Sequence, residues 1–208
     1  MYLKLIVIFS CILAINLTFS VAANADDFCD SKILSGERSF RRQLAQWLPG
    51  NGVWDVCWRA SRDGWAASRF HAGCDNKGPT VTIVQVGRYI FGGYTDVSWA
   101  GKYVYKVAPN TFLFSLRNKD KLRPFRSYLR YRYTIYAVHA VARFGPSFGA
   151  GHDLFIHDNA NKNRNSLSYF AWSFQGPPGY HGGQTKSMEL LAGSYQFTPT
   201  EVEVYYLH

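Results

Sequence analysis

The sequence predicts an α+β domain of predominantly antiparallel β-structure, a β-sandwich flanked by two short helices. Short runs rich in β-branched and aromatic residues recur along the chain, and Gly, Asn, Asp or Pro separates them. The 208 residues are 47% hydrophobic and only 18% charged, which excludes a disordered chain. The absence of heptads and of long helical patterns excludes a coiled coil, a helical bundle and a polytopic membrane protein.

The first predicted element of the domain is an amphipathic helix. Apolar residues recur at helical spacing between Ile33 and Leu48, with Ser35 as the N-cap and Pro49 just after the end. A second, shorter helix is expected near Ala67–Gly73.

Strand patterns account for most of the remaining chain. Alternation over Val53–Ala60 places Trp54, Val56 and Trp58 on one face of a strand. The other predicted strands are Thr80–Val86, Tyr89–Tyr94, Tyr103–Val107, Phe112–Leu116, Ile135–Arg143, Asp153–His157, Tyr169–Phe174 and Glu201–Tyr206. No repeat or linker divides the chain, so we expect a single domain over residues 26–208 with its core at about 31–207.

The N-terminus has the pattern of a secretory signal peptide over residues 1–25. Lys4 precedes an apolar run from Leu5 to Phe19, and Ala23 and Ala25 form an Ala-x-Ala cleavage motif. The run is shorter than the ~20 residues that span a bilayer, although an uncleaved anchor is the alternative. We therefore expect a secreted, basic protein; the whole chain carries a formal charge of +9.

Three of the four cysteines follow the predicted cleavage site, namely Cys29, Cys57 and Cys74. An odd number leaves one thiol free or paired with another chain, so a disulfide-linked dimer is an open alternative. The sequence does not fix the internal pair; a bridge between Cys29 and Cys57, which ties the N-terminal segment to the first strand, is the pairing that we favour. No Cys-x-x-Cys pair occurs, so we expect no zinc.

Seven basic residues lie between positions 117 and 132, accompanied by one acid, Asp120. They are Arg117, Lys119, Lys121, Arg123, Arg126, Arg130 and Arg132. Such a block is often a solvated loop, but the interleaved Phe125, Tyr128 and Tyr131 favour contact with a polyanion as the alternative. Outside the cell, sulfated glycans or an anionic membrane surface fit better than nucleic acid.

Two glycine-rich stretches lack the features of a nucleotide site. Gly92-Gly93 and the run Gly145, Gly149 and Gly151 have neither the dinucleotide-binding spacing nor the Gly-Lys-Ser/Thr ending of a phosphate loop. We expect bulges or turns with positive φ at these positions, and no cofactor.

Five blocks of the sequence stand out in order along the chain. They are Arg59–Trp65 with Phe70-His71 and Cys74–Thr80, Tyr89–Trp99, Phe112–Leu116, Phe144–Leu154, and Leu191–Thr198 with Glu201–Val204. Together they resemble the TLDc domain family over roughly residues 31–207. The resemblance implies a β-sandwich flanked by short helices, a link to oxidative-stress protection and, for intracellular members, binding to the vacuolar ATPase. It implies no catalytic constellation, and a secreted copy would not meet the cytosolic face of that pump.

The matched blocks contain six candidate polar residues, which are Arg59, Arg62, Asp63, His71, His152 and Asp153. In the structural interpretation, Arg59 or Arg62 bridges a carboxylate such as Asp75 or Asp96, and His152 or Asp153 satisfies backbone donors. In the functional interpretation, Arg59, Arg62 and Asp63 line a pocket at the end of the sandwich, and the six together are candidate binding residues.

Catalytic interpretations of the acidic and imidazole side chains are weaker. A hydrolase using His71, or His152 with Asp153, lacks a recognisable nucleophile motif. His152 and His157 lie five apart, which sends them to opposite faces of a strand and disfavours a metal pair. Glu201 and Glu203 share one face of the last strand, so we expect a pair that faces water or ion-pairs with neighbours rather than a glycosidase pair.

The sequence therefore predicts a secreted, non-enzymatic protein that acts by binding a protein or a surface, in oxidative-stress or innate defence. An extracellular glycan binder that uses the loop Gly176–Gly183 is the first alternative, and a hydrolase is the second.

Overall fold

The computed structural model describes residues 27–50 and 52–208, and it confirms the predicted α+β class. Twelve strands form two six-stranded antiparallel sheets. In spatial order, sheet A contains β1 (Trp54–Arg59), β12 (Glu201–Leu207), β2 (Thr80–Val86), β3 (Tyr89–Thr95), β5 (Phe112–Arg117) and β6 (Phe125–Tyr128). Sheet B contains β11 (Gln196–Phe197), β10 (Ser166–Leu167), β9 (Leu154–Phe155), β8 (Ser147–Phe148), β7 (Val138–Val141) and β4 (Tyr103–Lys106).

The helices are short and more numerous than the two predicted. They are α1 (Arg38–Trp47), α2 (Ala60–Asp63), α3 (Ala67–Cys74) and α4 (Thr185–Leu190), with 3-10 turns at Tyr131–Tyr136 and Ala160–Lys162. The two helices predicted from the sequence correspond to α1 and α3. Helix α1 begins after Glu37 rather than Ser35, because Gly36 adopts φ +76° and interrupts helical geometry there.

Several predicted strands differ from those observed. Residues 169–174 form turns instead of a strand, and Ile135–Arg143 contributes only β7 after a 3-10 turn. Conversely, β6 lies inside the basic segment, for which a solvated loop is one of the two predictions. Strand β6 pairs with β5 through Ser127 and Leu113, so the four residues Phe125–Tyr128 of that segment are ordered sheet.

Two apolar clusters separate three layers. The first lies between the sheets and includes Phe91 and Leu113 from sheet A and Phe148 and Leu154 from sheet B. The second lies on the outer face of sheet A, beneath α1 and the segment before it. The sandwich is therefore covered on one side by a helical layer.

A register shift in β1 changes the predicted face of one tryptophan. Trp54 belongs to the outer cluster with Val56 packed against it, whereas Trp58 lies in the cluster between the sheets. The pairing with β12 slips between Val56 and Trp58, so the extra residue, Cys57, reverses the alternation.

The bulge also explains why the favoured disulfide is wrong. Cys57 bonds to Cys74 on α3, with Cα atoms 5.3 Å apart, and Cys29 is free and exposed. Helix α3 approaches β1 closely at Gly73, where a Cβ would collide with the carbonyl oxygen of Cys57. This approach brings the two sulfurs within bonding distance.

The central glycine pair of β3 has a packing role rather than the predicted positive φ. A Cβ on Gly92 would collide with the carbonyl oxygen of Thr82, and one on Gly93 would lie 2.8 Å from the ring of Phe148 in sheet B. Gly149, by contrast, has φ +83°, as predicted for the second glycine-rich run.

The predicted signal peptide, residues 1–25, lies outside the described residues. Within residues 27–50 and 52–208, no helix has the length and apolar character needed to cross a bilayer.

We predict that removal of the disulfide destabilises the domain, whereas removal of the free thiol does not. The bridge closes a loop of 17 residues, so the double substitution Cys57→Ser with Cys74→Ser should cost about 3 kcal/mol through unfolded-state entropy. Urea unfolding measures the loss. Cys29→Ser is the matched control, and an equal loss in that variant would contradict the assignment.

Candidate functional site

The six polar candidates do not converge on one pocket. Arg59 is the last residue of β1, and Arg62 and Asp63 lie in α2, which follows it directly. His71 lies on α3, and His152 and Asp153 lie just before β9. The structure therefore divides them into local networks.

The first network is a buried ion pair that fixes the segment before α1 to sheet A. The Nε of Arg59 donates to Oε1 of Glu203 at 2.6 Å, and the Glu203 side chain is fully buried. The backbone N–H of Lys32 donates to the same oxygen, and the hydroxyl of Ser31 donates to Oε2. The Arg59 guanidinium also donates to the backbone oxygen of Asp30 at 2.8 Å. Every polar atom of this carboxylate therefore has a partner.

The neighbouring Glu201 is also buried rather than facing water. Its Oε1 accepts the backbone N–H of Ser61 at 3.0 Å, and the ammonium of Lys32 lies 3.2 Å from its Oε2. Ion pairing of these glutamates, one of the two alternatives, is thus confirmed. Both carboxylates are occupied by structural partners from α2 and the N-terminal segment.

The predicted partners of the arginines, Asp75 and Asp96, are wrong. Arg62 forms a two-bond ion pair with the adjacent Asp63, both contacts at 2.8 Å, and this hydrogen bonding lowers the pKa of Asp63. Asp96 instead accepts the side-chain amide of Asn110.

His71 joins α3 to the loop after β7. Its Nδ1 lies 2.8 Å from the carboxylate of Asp75, and its Nε2 lies within 3.1 Å of the backbone oxygens of Val141 and Phe144. Both ring nitrogens face acceptors within the protein, as expected for a histidine with a structural role.

Burial and the charge of Glu203 act in opposite directions on Arg59. Burial lowers the pKa of Arg59, but the hydrogen bond and charge of Glu203 together outweigh burial, so the pKa is raised. Burial, with the nearby charges of Glu203 and Asp30, raises the pKa of Tyr205. The hydroxyl of Tyr205 donates to Asp30 at 3.0 Å, so it remains a donor over the physiological range.

Asp153 satisfies backbone donors, which confirms the structural interpretation. Its fully buried carboxylate accepts the N–H groups of Trp172, Ser173 and Phe174 at 2.9 to 3.2 Å. Burial raises its pKa to about 6, although these donors oppose the shift. Asp153 therefore fixes the turn that carries Trp172.

Sequence reasoning missed a histidine pair beneath the edge of sheet B. His139 on β7 places its Nδ1 3.3 Å from Nε2 of His152, and the Tyr105 ring stacks on His139 with centroids 4.1 Å apart. Burial lowers the pKa of both histidines, and the charge of His139 lowers that of His152 further. Spacing in the sequence gave no signal, because 13 residues and a β-turn separate the rings.

Histidine, cysteine and carboxylate side chains do not gather into a metal site in the described part of the chain. No group of three or more of them is placed to hold an ion there. His157, the second histidine of the disfavoured pair, instead lies 2.8 Å from the backbone oxygen of Asp158.

The basic segment separates into paired and unpaired cations. Arg117 pairs with Glu37 on one side of the segment, and Lys119 pairs with Glu189 of α4. Within the described residues, the other five cations form no ion pair with a carboxylate. Four of these five lie just before, within or just after β6 and are called the cationic strip here; they are Arg123, Arg126, Arg130 and Arg132.

The far end of the cationic strip forms a cleft of about 210 Å³ with the predicted glycan loop. Arg130 and Arg132 line it together with Trp172 and Gly182. A Cβ on Gly182 would lie 3.1 Å from Cα of Trp172, so close packing at this glycine positions the loop beside the arginines. Two features far apart in the sequence thus meet in one site.

The loop Gly176–Gly183 also contacts Asp120, the one acidic residue of the basic segment. The hydroxyl of Tyr180 donates to Asp120 at 2.7 Å, so the single acid of the segment is occupied by a loop residue. The ammonium of Lys186 lies 4.2 Å from the centre of the Tyr180 ring. These contacts hold the loop Gly176–Gly183 against the cations.

Comparison with protein-family models identifies a TLDc domain over residues 28–208. A search of curated proteins finds no match.

We predict that the Arg59–Glu203 pair is strongly coupled. Arg59→Met leaves a buried carboxylate without its counter-ion and should cost about 3–5 kcal/mol in the free energy of unfolding. Combining it with Glu203→Gln should recover part of that loss, because the uncompensated charge disappears. Urea unfolding of the two single variants and the double variant measures the coupling, and additive losses would contradict it.

We predict that the histidine pair makes the domain acid-sensitive. Because the folded-state pKa values of His139 and His152 lie below the unfolded value of about 6.5, their contribution is complete above that pH and is lost as pH falls towards the folded values. His152→Asn, which tolerates the observed φ of +58°, should reduce this acid dependence. Unfolding free energies measured from pH 7 to 5 test it.

The matched control for this measurement is His181→Asn, an exposed histidine of the loop. Asp153 is retained in all three proteins, so its own titration is common to them. An unchanged pH profile in His152→Asn would contradict the assignment.

Proposed function

Because the chain belongs to the TLDc domain family, whose members have oxidative-stress-related or binding functions, we propose that it is a secreted, non-enzymatic binding protein for sulfated polysaccharides. The polymer lies along the cationic strip and ends in the cleft beside Trp172. The proposal extends the family-level function to one class of ligand and one surface.

The unpaired charge of the cationic strip carries this proposal. Arg123, Arg126 and Arg132 are exposed and Arg130 is half-buried, and none has a carboxylate partner among the described residues. Unpaired arginines can each form a two-bond contact with a sulfate or carboxylate of a linear polymer. Arg126 lies in β6, Arg123 lies just before the strand, and Arg130 and Arg132 follow it, so the charges succeed one another along this segment of the chain.

Exposed rings accompany the charges and suit a sugar chain better than a bare anion. Tyr131 is 92% exposed and Trp172 is 41% exposed, and each lines a concave surface with Arg130 and Arg132. Aromatic rings offer an apolar face with a polar edge, which complements the faces of pyranose rings. This combination favours acidic glycans over an anionic membrane.

The buried networks support a binding function rather than catalysis. The carboxylates of Glu203 and Asp153 and both ring nitrogens of His71 are occupied by partners within the domain. A general acid or base must reach a substrate atom, and these groups face the interior.

Secretion is supported by the N-terminal pattern and by the disulfide between Cys57 and Cys74, since such bonds persist in oxidising compartments. In that compartment the protein does not meet the cytosolic face of the vacuolar ATPase. The exposed thiol of Cys29 leaves a disulfide-linked dimer as the proposed oligomer.

We predict that loss of the cationic strip strongly weakens retention on heparin. The protein is collected from the medium of a secreting host, where it should begin at Asp26, and applied to heparin-agarose. The quadruple substitution of Arg123, Arg126, Arg130 and Arg132 by Ala should shift elution to much lower salt, because the unpaired charges supply the attraction.

A matched control removes four basic residues elsewhere, namely Lys102, Arg143, Lys162 and Arg164. Equal retention of the quadruple variant and this control would show attraction by net charge alone and would overturn the proposal. Trp172→Ala tests the sugar contact; it should weaken binding to heparin and leave binding to phosphatidylserine vesicles unchanged. Tighter binding to those vesicles or to double-stranded DNA than to heparin would also overturn it.

A further inference from the structure

A cleft of about 420 Å³ opens at one end of sheet A, next to the start of the cationic strip. It lies between α1, the β2–β3 turn and the β5–β6 turn. Phe40, Tyr89 and Leu122 form its apolar wall, and Arg88 and Lys121 stand exposed at its rim. This volume is within the range of small-molecule sites.

The charge in this cleft comes from two unpaired cations. Two other basic residues of the lining, Arg117 and Lys119, are already neutralised by glutamates. Arg88 and Lys121 form no ion pair in the part of the chain that the structure describes. The rim therefore has a net positive charge that a ligand anion would complement.

The backbone at Lys121 is held in an unfavourable conformation. Its φ is +58°, which non-glycine residues rarely adopt. The buried Asn118 fixes the turn around it: Oδ1 accepts the N–H of Leu122 at 2.9 Å, and Nδ2 donates to the Leu122 oxygen at 3.0 Å. A strained residue that its surroundings hold in place, at the rim of a cleft, is typical of a binding position.

The apolar wall is rigid before any ligand arrives. The Tyr89 ring packs on the backbone of Gly193, where a Cβ would lie 2.5 Å from Cε2 of the ring. The guanidinium of Arg117 covers the Phe40 ring at 5.1 Å, and it also donates to the Arg88 backbone oxygen. Rings fixed in this way lose little freedom on binding.

We propose that this cleft binds a small aromatic anion, with its carboxylate or sulfate between Arg88 and Lys121 and its ring against Phe40 and Tyr89. Cations at the rim and rings in the wall match the two halves of such a molecule. None of the four arginines of the cationic strip lines this cleft, so it is a second binding function of the same domain.

The test uses the full secreted protein and the fluorescent aryl sulfonate 1-anilinonaphthalene-8-sulfonate as the probe. Arg88→Gln combined with Lys121→Gly removes both free charges, and glycine keeps the positive φ without strain. The double variant should bind the probe at least about tenfold more weakly, because each lost contact is charge-assisted. Its circular dichroism and thermal midpoint should match those of the unsubstituted protein.

The matched control is Arg143→Gln with Lys102→Gly, two cations outside the cleft, and it should bind the probe with unchanged affinity. Equal affinity of the double variant and the control for the probe would overturn the proposal. It would also be overturned if inorganic sulfate displaced the probe at the same concentration as naphthalene-2-sulfonate does. Octanoate competing as well as naphthalene-2-sulfonate would overturn the aromatic assignment. Heparin retention of the double variant should persist, which separates this result from a failure of the polysaccharide proposal.

Discussion

The architecture depends on one buried electrostatic contact, the pairing of Arg59 with Glu203. It joins the end of β1 to β12, and through Ser31 and Lys32 it holds the segment that leads into α1. A carboxylate removed from water is tolerated only when its oxygens are all satisfied, as they are here. The helical layer over sheet A is thus anchored at a polar point, and apolar packing fills the area around it.

The sequence predicted what depends on local periodicity. Alternation located most strands of sheet A, and helical spacing located α1 and α3. It failed where a tertiary contact reversed the local pattern: the bulge at Cys57 moved Trp58 to the other face and selected Cys74 as the disulfide partner. It also could not pair His139 with His152, since no periodicity joins a residue of β7 to one in the turn before β9.

The candidate sites show the same division between composition and geometry. The sequence identified the seven basic residues, but not that two of them are neutralised, that Lys121 lines one cleft, or that Arg130 and Arg132 line another. Strand β6 is the outermost strand of sheet A on this side, and it carries Arg126. Charged side chains on an edge strand discourage pairing with another chain, and this surface can therefore remain open for a ligand.

The glycine at position 93 couples the two sheets in a way that constrains how such sequences can diverge. Its missing side chain leaves room for the ring of Phe148, which enters from the opposite sheet. Enlarging one position without shrinking the other would force the layers apart, since interiors are close-packed. Natural variants of this domain should therefore change these two sites together, a covariation that is visible in an alignment without any structure.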